Sequence, residues 1–328
     1  MKPPPNCTLI TACYDLNKYN NKCRTTEECL ALISPLLQLP VYLIIYGSKT
    51  TIPAIRMQRE IYGFNKITKY IQIEMEDLWT YQFLPKVKEN RQKYWPTRDE
   101  RTCAESHIIC CNKFDFVLET IAMNPFNTTH FGWIDAYLGD GKNGLRICEN
   151  YDSMIVPKIL HELTKMPTPT NTNPTNKFHI QVLNCNDKKF KDPQNKREFY
   201  ERYRWVVCGG FFVTAPEAGT RILTRLKEIF VETTNQGFGH GEEMFYLEVL
   251  DEFYDDIHRS YGDYGQILNN FLNPTKNIEY VYHTIAENFK NAGYQQEYED
   301  VCKKLQHSVD EYLIRGTTFP LNPSLTLY

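Results

Sequence analysis

His130-Phe131-Gly132-Trp133-Ile134-Asp135-Ala136-Tyr137 is an aromatic and aliphatic run that ends in one carboxylate. Small and polar residues follow through Gly139, Asp140 and Gly141. A short apolar run bounded by turn residues reads as a buried strand. In α/β proteins ligands bind where buried strands end, so Asp135 is placed to meet a cation or a sugar. The competing reading is an Asp that caps the next turn or helix. The company Asp135 keeps along the chain favours the ligand.

Immediately upstream, Ala104 to Met123 predicts a helix. Its apolar positions Ile108, Cys111, Phe114, Val117, Leu118 and Ile121 repeat at three, four and seven residues. Nearer the N-terminus, Thr8 to Cys13 and Val41 to Gly47 are short, nearly continuous apolar runs. Between them Leu30, Ile33, Leu36 and Leu37 keep helical spacing, with Pro35 as a kink or boundary. Strand, helix, strand with all-apolar strands predicts a parallel sheet covered on both faces. A third strand is expected over Lys69 to Ile73 and a helix over Met75 to Phe83. Residues 89 to 101 are highly charged, with Arg91, Lys93, Arg98 and Arg101 around Tyr94-Trp95-Pro96.

Downstream, strand-like runs resume at Phe178 to Leu183 and Trp205 to Val213. A helix then opens on a capping box of Thr214 and Glu217, with Pro216 in its first turn. Its apolar face is Ala218, Ile222, Leu226, Ile229 and Phe230. Residues 166–177, rich in Pro, Thr and Asn, read as an exposed loop inserted within one domain spanning 1–283. Residues 284–328 read as a helical C-terminal extension packed on that domain.

The 328 residues are 42% hydrophobic and 13% aromatic, which is enough for a sizeable core. A net charge of −3 disfavours a general nucleic-acid binder, which carries a basic surplus. No run of about 18 apolar residues occurs, so no membrane span is expected. Met1 to Asn6 has no apolar h-region and reads as non-secretory. The eleven cysteines are odd in number, irregularly spaced and without a Cys-x-x-Cys pair. They encode neither a disulfide framework nor a zinc ribbon, and Cys13 and Cys208 read as small buried hydrophobes. A reducing, cytoplasmic setting fits best. The sequons at Asn6 and Asn127 are read as chance matches. The oligomeric state is not encoded.

Four segments carry candidate chemistry. Asp15 follows the first strand and could meet a base or ribose, or close an Asx turn. Asp135 is the second. Gly209 and Gly210 interrupt a bulky apolar run, as at a bulge or where a ligand comes close. In Gly237-Phe238-Gly239-His240-Gly241-Glu242-Glu243, glycines surround a His and lead into two acids at the start of a helix over Glu242 to Leu250. Such acids favour the helix dipole, and a carboxylate there could also serve as general base toward a sugar hydroxyl. Lesser signals are a possible metal face of Cys103, His107 and Cys110 against ordinary core packing. His283 is read as structural before it is read as a ligand. Lys113 either snorkels or reaches toward an anion.

The order of these motifs resembles the HtrL/YibB family of bacterial proteins. Thr11-Ala12-Cys13-Tyr14-Asp15 comes first, then Tyr94-Trp95 before a helix bearing Cys110 and Lys113. Trp133-Ile134-Asp135, Gly209-Gly210-Phe211-Phe212 and an acidic glycine-containing loop follow. The resemblance covers roughly residues 7 to 265. It implies an α/β, GT-A-like (Rossmann-like) fold: a mixed, mostly parallel central sheet flanked by helices, with a helical C-terminal tail. It further implies a nucleotide-sugar site of Thr11, Ala12, Tyr14, Asp15, Lys113, Asp135, Gly209 and Gly210. Asp135 takes the metal-binding place, with His283 as a candidate second ligand for Mn²⁺ or Mg²⁺. Trp133 stands where the first acid of an Asp-x-Asp pair would be. Glu242 and Glu243 match the acidic loop that supplies a base or acceptor contact.

The function so implied is a glycosyltransferase, hexosyl or pentosyl. It would take a nucleotide sugar, with UDP as the expected carrier, and act on a glycan or other hydroxyl acceptor. Two rivals stand beside it. One is a catalytically inactive carbohydrate-binding or scaffold protein on the same fold. The other is a nucleotide-sugar hydrolase, although no Gly-x-Gly-x-x-Gly or Walker sequence supports that class.

Overall fold

The computed structural model describes residues 4–93, 100–137, 154–165, 176–182, 200, 207–238, 241–261, 268, 271–272, 295 and 299. In chain order its strands are β1 (Cys7–Cys13), β2 (Tyr42–Gly47), β3 (Thr68–Gln72), β4 (His130–Ile134), β5 (Phe178–Val182), β6 (Val207–Thr214) and β7 (Ile257–Tyr261). Its helices are α1 (Thr26–Leu37), α2 (Ile52–Ile61), α3 (Leu84–Lys93), α4 (Ala104–Met123), α5 (Ile155–Leu163), α6 (Pro216–Gln236) and α7 (Tyr246–Glu252).

The seven strands form one sheet in the order β3-β2-β1-β4-β6-β5-β7. Only β6 is reversed: it runs antiparallel to β4 and β5, and every other pair is parallel. This is the mixed, mostly parallel sheet flanked by helices that was expected. β1, β4 and β6 are buried almost throughout because helices cover both faces. Their side chains alternate between two apolar clusters. Ile10, Phe131, Trp133 and Phe212 point to the side of α3, α4, α6 and α7. Leu9, Ile134, Phe211 and Val213 point to the side of α1, α2 and α5.

Local chemistry explains most of the boundaries. α1 opens on a capping box in which Thr25 accepts from Glu28 N and Glu28 reaches back to Thr25 N, an arrangement worth about 1 kcal/mol. Pro35 does not break α1, because it lies in the last turn and the helix ends just beyond it at Leu37. α4 ends where Asn124 adopts a left-handed backbone with φ of 33°.

Several expectations are corrected. The capping box at Thr214 and Glu217 is absent, because β6 runs through Thr214 and Ala215 becomes an N-cap without a side-chain bond. Met75 to Phe83 forms two 3-10 turns, and the helix comes after them, at Leu84–Lys93, running into the charged stretch. The helix expected over Glu242 to Leu250 is a 3-10 turn, Glu242–Met244, followed by α7. No helix among the described residues is long and apolar enough to cross a membrane. Of the C-terminal tail only Gln295 and Glu299 are described, both helical. The rest of it, His240, His283 and Tyr94-Trp95 lie outside the described residues, as does most of the 166–177 loop.

Candidate active site

The site is built at the edge of the sheet where β1, β2 and β4 end. Reversal of β6 brings its first residues to that same edge. The β4–β6 ladder pairs Ile134 with Phe211, and Asp135 N then donates to Gly210 O at 2.8 Å. Asp135 is therefore held by its backbone one step beyond β4 while its side chain stays 48% exposed.

Trp133 does more than occupy an acid's place. Its ring packs into the core parallel to Phe116, with centroids 6.3 Å apart. Its indole Nε1–H donates to Asp135 Oδ1 at 2.6 Å. Lys113 Nζ lies 3.6 Å from the same oxygen and 5.4 Å from the centre of the Trp133 ring.

Lys113 does not snorkel. Its side chain is 1% exposed, and its ammonium donates to Gly209 O at 3.0 Å and to Glu242 Oε1. Burial alone would pull the ammonium's pKa down. The carboxylates of Asp135 and then Glu242 outweigh it and hold the pKa well above the ordinary lysine value. Glu242 is itself nearly sealed, 7% exposed.

The close approach at Gly209 is made by the protein itself. A Cβ there would sit 2.8 Å from Glu242 Oε1 and 3.4 Å from Lys113 Nζ, so only glycine fits under the ion pair. The strand also bulges there: between two paired positions β6 takes five residue steps while β5 takes two.

Glu243 follows Glu242 and is half-buried, with its Cγ 3.4 Å from the same Cβ position of Gly209. Burial, and then the neighbouring Glu242, push its carboxyl up to about 8, against the pull of Lys113. A carboxyl raised in the folded state holds its proton more tightly there than in the unfolded chain. Stability is therefore highest below about pH 4.5 for this group and falls as pH rises through the window up to about 8. The loss is expected to be on the order of a few kcal/mol. Melting temperatures across pH 5 to 9 check this, and Glu243→Gln should flatten that part of the slope.

The residues at the end of β1 are largely engaged within the protein. Asp15 accepts from Asn17 N at 3.0 Å and from Thr26 Oγ1 at 2.8 Å, so both its oxygens are engaged within the turn that leads to α1. Tyr14 donates to Ile73 O at 3.2 Å, and Ala12 packs at the margin of the core. The buried Thr11 hydroxyl finds no partner among the described residues. These four lie at the end of β1, next to β4 in the sheet, whereas Asp135, Gly209 and Glu242 each meet Lys113.

Tyr246 escaped the sequence reading. Its buried hydroxyl finds no hydrogen-bond partner among the described residues, and its ring meets Phe114 and Phe212 edge-on. Burial raises its pKa well above the ordinary tyrosine value, and Lys113, Glu242 and Glu243 all lie within its electrostatic reach. Its only sequence signal is its position four residues after Glu242.

A metal site would need more than Asp135. One oxygen of Asp135 is engaged by Trp133 and Lys113, and the described residues gather no group of three His, Cys, Asp or Glu able to hold an ion. The face of Cys103, His107 and Cys110 does not supply one. His107 is buried against Phe230 and Phe245, while Cys110 is exposed and Cys103 caps α4.

Three solved structures can be set beside this chain. Mouse xyloside xylosyltransferase 1, apo form, has 13% identity, covers 77% of this chain and 84% of its own, and gives a TM-score of 0.40. The galactosyltransferase LgtC in complex with donor and acceptor sugar analogs has 7% identity, 77% and 73% coverage and a TM-score of 0.39. Mannose-1-phosphate geranyltransferase from Thermus thermophilus has 11% identity, 74% and 68% coverage and a TM-score of 0.30. Likenesses this loose say nothing of donor or acceptor. No curated protein matches the chain. The profile of HtrL_YibB, described as "Bacterial protein of unknown function", matches residues 5–184, more than half of the chain and the part that carries Lys113, Trp133 and Asp135. The chain belongs to the HtrL_YibB family.

Proposed function

We propose that the protein is a glycosyltransferase that moves a sugar from a nucleotide sugar, with UDP as the carrier, to a hydroxyl of a glycan or another acceptor. One observation carries the reading. Asp135 beyond β4, Gly209 at the start of β6 and the Glu242-Glu243 pair converge on Lys113 at the edge where the parallel strands end. Ligands of open α/β sheets bind at that edge.

In this reading the end of β1, from Thr11 to Asp15, lines the nucleotide side. Asp135, through its exposed oxygen, faces the diphosphate and any Mn²⁺ or Mg²⁺ that accompanies it. The described residues gather no group of three His, Cys, Asp or Glu around such an ion. Glu242 and Glu243 lie on the acceptor side, where a carboxylate near the attacking hydroxyl favours transfer.

Calorimetry with UDP, with and without Mn²⁺, followed by UDP release from a panel of UDP-sugars, tests the proposal. Binding and turnover are expected, with Asp135→Asn lowering turnover by about 100-fold, the scale of one lost transition-state contact. Absence of binding by any nucleoside diphosphate, with or without metal, would sink it. A second reading is a catalytically inactive sugar-binding or scaffold protein. It draws on the fact that Lys113, Asp135 and Glu242 already satisfy one another. UDP-sugar binding without any release of UDP would favour it.

A further inference from the structure

We propose that the two adjacent acids divide the work: Glu242, sealed against Lys113, fixes the shape of the site, and Glu243, half-buried beside Gly209, takes the proton of the acceptor hydroxyl. The inference rests on the glycosyl-transfer reading and assigns the roles within it.

Geometry separates the two side chains. Glu242 is 7% exposed, and its Oε1 is held by Lys113 and packed over the bare Cα of Gly209. An acceptor could reach it only by displacing a buried ammonium. A buried ion pair of this kind is costly to open, because either partner left alone is an uncompensated charge. Glu243 is the next residue, brings its Cγ to 3.4 Å from the Cβ position of Gly209 and is half-buried where Glu242 is sealed. Glu242 is thus a positioning residue, and Glu243 is the group that meets substrate.

The acceptor oxygen forms a bond to the anomeric carbon. The bond from that carbon to the diphosphate oxygen breaks, and its electron pair leaves with the nucleoside diphosphate. The hydroxyl proton passes to the Glu243 carboxylate, which later releases it to water. A base is most effective when it titrates near working pH. The carboxyl of Glu243, pushed up to about 8, meets that condition. The groups that act on it are Lys113, Cys110 and Cys111 from α4, Asp135 after β4, Cys208 from β6, and Glu242 and Tyr246 from its own segment.

The test measures the rate of transfer from pH 5.5 to 9.5, using the UDP-sugar that the wild-type protein turns over, together with the Kd for UDP. Wild type should show a rising limb with a midpoint near pH 8. Glu243→Gln should lose at least about 100-fold in kcat and lose the limb, with the Kd for UDP changed less than about threefold. Glu243→Asp should keep the limb with its midpoint shifted, which guards against misfolding of the Gln variant. Glu242→Gln should lower the melting temperature and keep the limb. A limb that survives in Glu243→Gln, or that disappears only in Glu242→Gln, overturns the assignment while leaving glycosyl transfer intact. A wild-type protein that binds no UDP overturns both readings.

Discussion

Lys113→Met is expected to destabilise the protein by about 3–5 kcal/mol, the usual cost of stranding a buried charge. The Met side chain fills much the same volume, so packing against Trp133 is largely kept and the loss isolates the charge. What remains is the Glu242 carboxylate, 7% exposed, with the Gly209 carbonyl also deprived of its donor. For a chain of this size the shift corresponds to a fall in melting temperature of about 4–7 °C. Pairing the change with Glu242→Leu removes both charges and should restore part of the loss, because two apolar groups replace the ion pair. A double-mutant cycle by urea unfolding reads the coupling directly. If Lys113→Met alone is neutral, the ammonium is not the counter-charge described here.

Arg59→Met is expected to cost a similar 3–5 kcal/mol for a different reason. Arg59 is fully buried and works as a clamp. Its Nη1 donates to Leu37 O at 2.6 Å and Leu39 O at 2.7 Å, its Nη2 to Val41 O at 2.9 Å and its Nε to Thr68 Oγ1 at 2.7 Å. One side chain thus ties the end of α1, the crossing into β2 and the start of β3. Burial draws its pKa down to about 10, which still leaves it charged at neutral pH. Removing the fork takes that donor from three carbonyls, of which Leu39 O keeps Val41 N at 2.9 Å. Lys cannot replace it, since a single ammonium does not span three directions, so Arg59→Lys should recover little. Urea unfolding of both variants decides the matter, and wild-type stability in Arg59→Lys would refute the clamp.

Arg59 also shows where sequence reading stops. α2 buries only Ile52, Ile55 and Arg59, while Met57 and Ile61 are exposed. Its apolar pattern is therefore blurred, and its most important inward residue is a cation. α4 was legible because eleven of its residues are buried at regular spacing. β1, β2, β4 and β6 were legible because burial on both faces leaves unbroken apolar runs. β7 has no such run, since three of its five residues are His258, Arg259 and Ser260. The capping box at Thr214 failed because sheet pairing claimed the residue first: Thr214 still pairs with Phe131 and Phe178.

The residues that meet at Lys113 carried partial signals. Asp135 stood out at the end of an apolar run, and Gly209 as a break in one. The partner that crowds Gly209 was invisible, because it comes from a segment 33 residues further on. Trp133 was read as a missing acid. In the fold it is the donor that orients the acid which remains.

The Lys113–Glu242 pair joins residues 129 positions apart in the chain. During synthesis, at roughly 5–20 residues per second, Lys113 emerges on the order of ten seconds before Glu242 exists. Through that interval half-exposed Asp135 is the counter-charge already at hand for the ammonium of α4. The sealed partner, Glu242, comes only when the acidic turn has been made, and the site is completed with it.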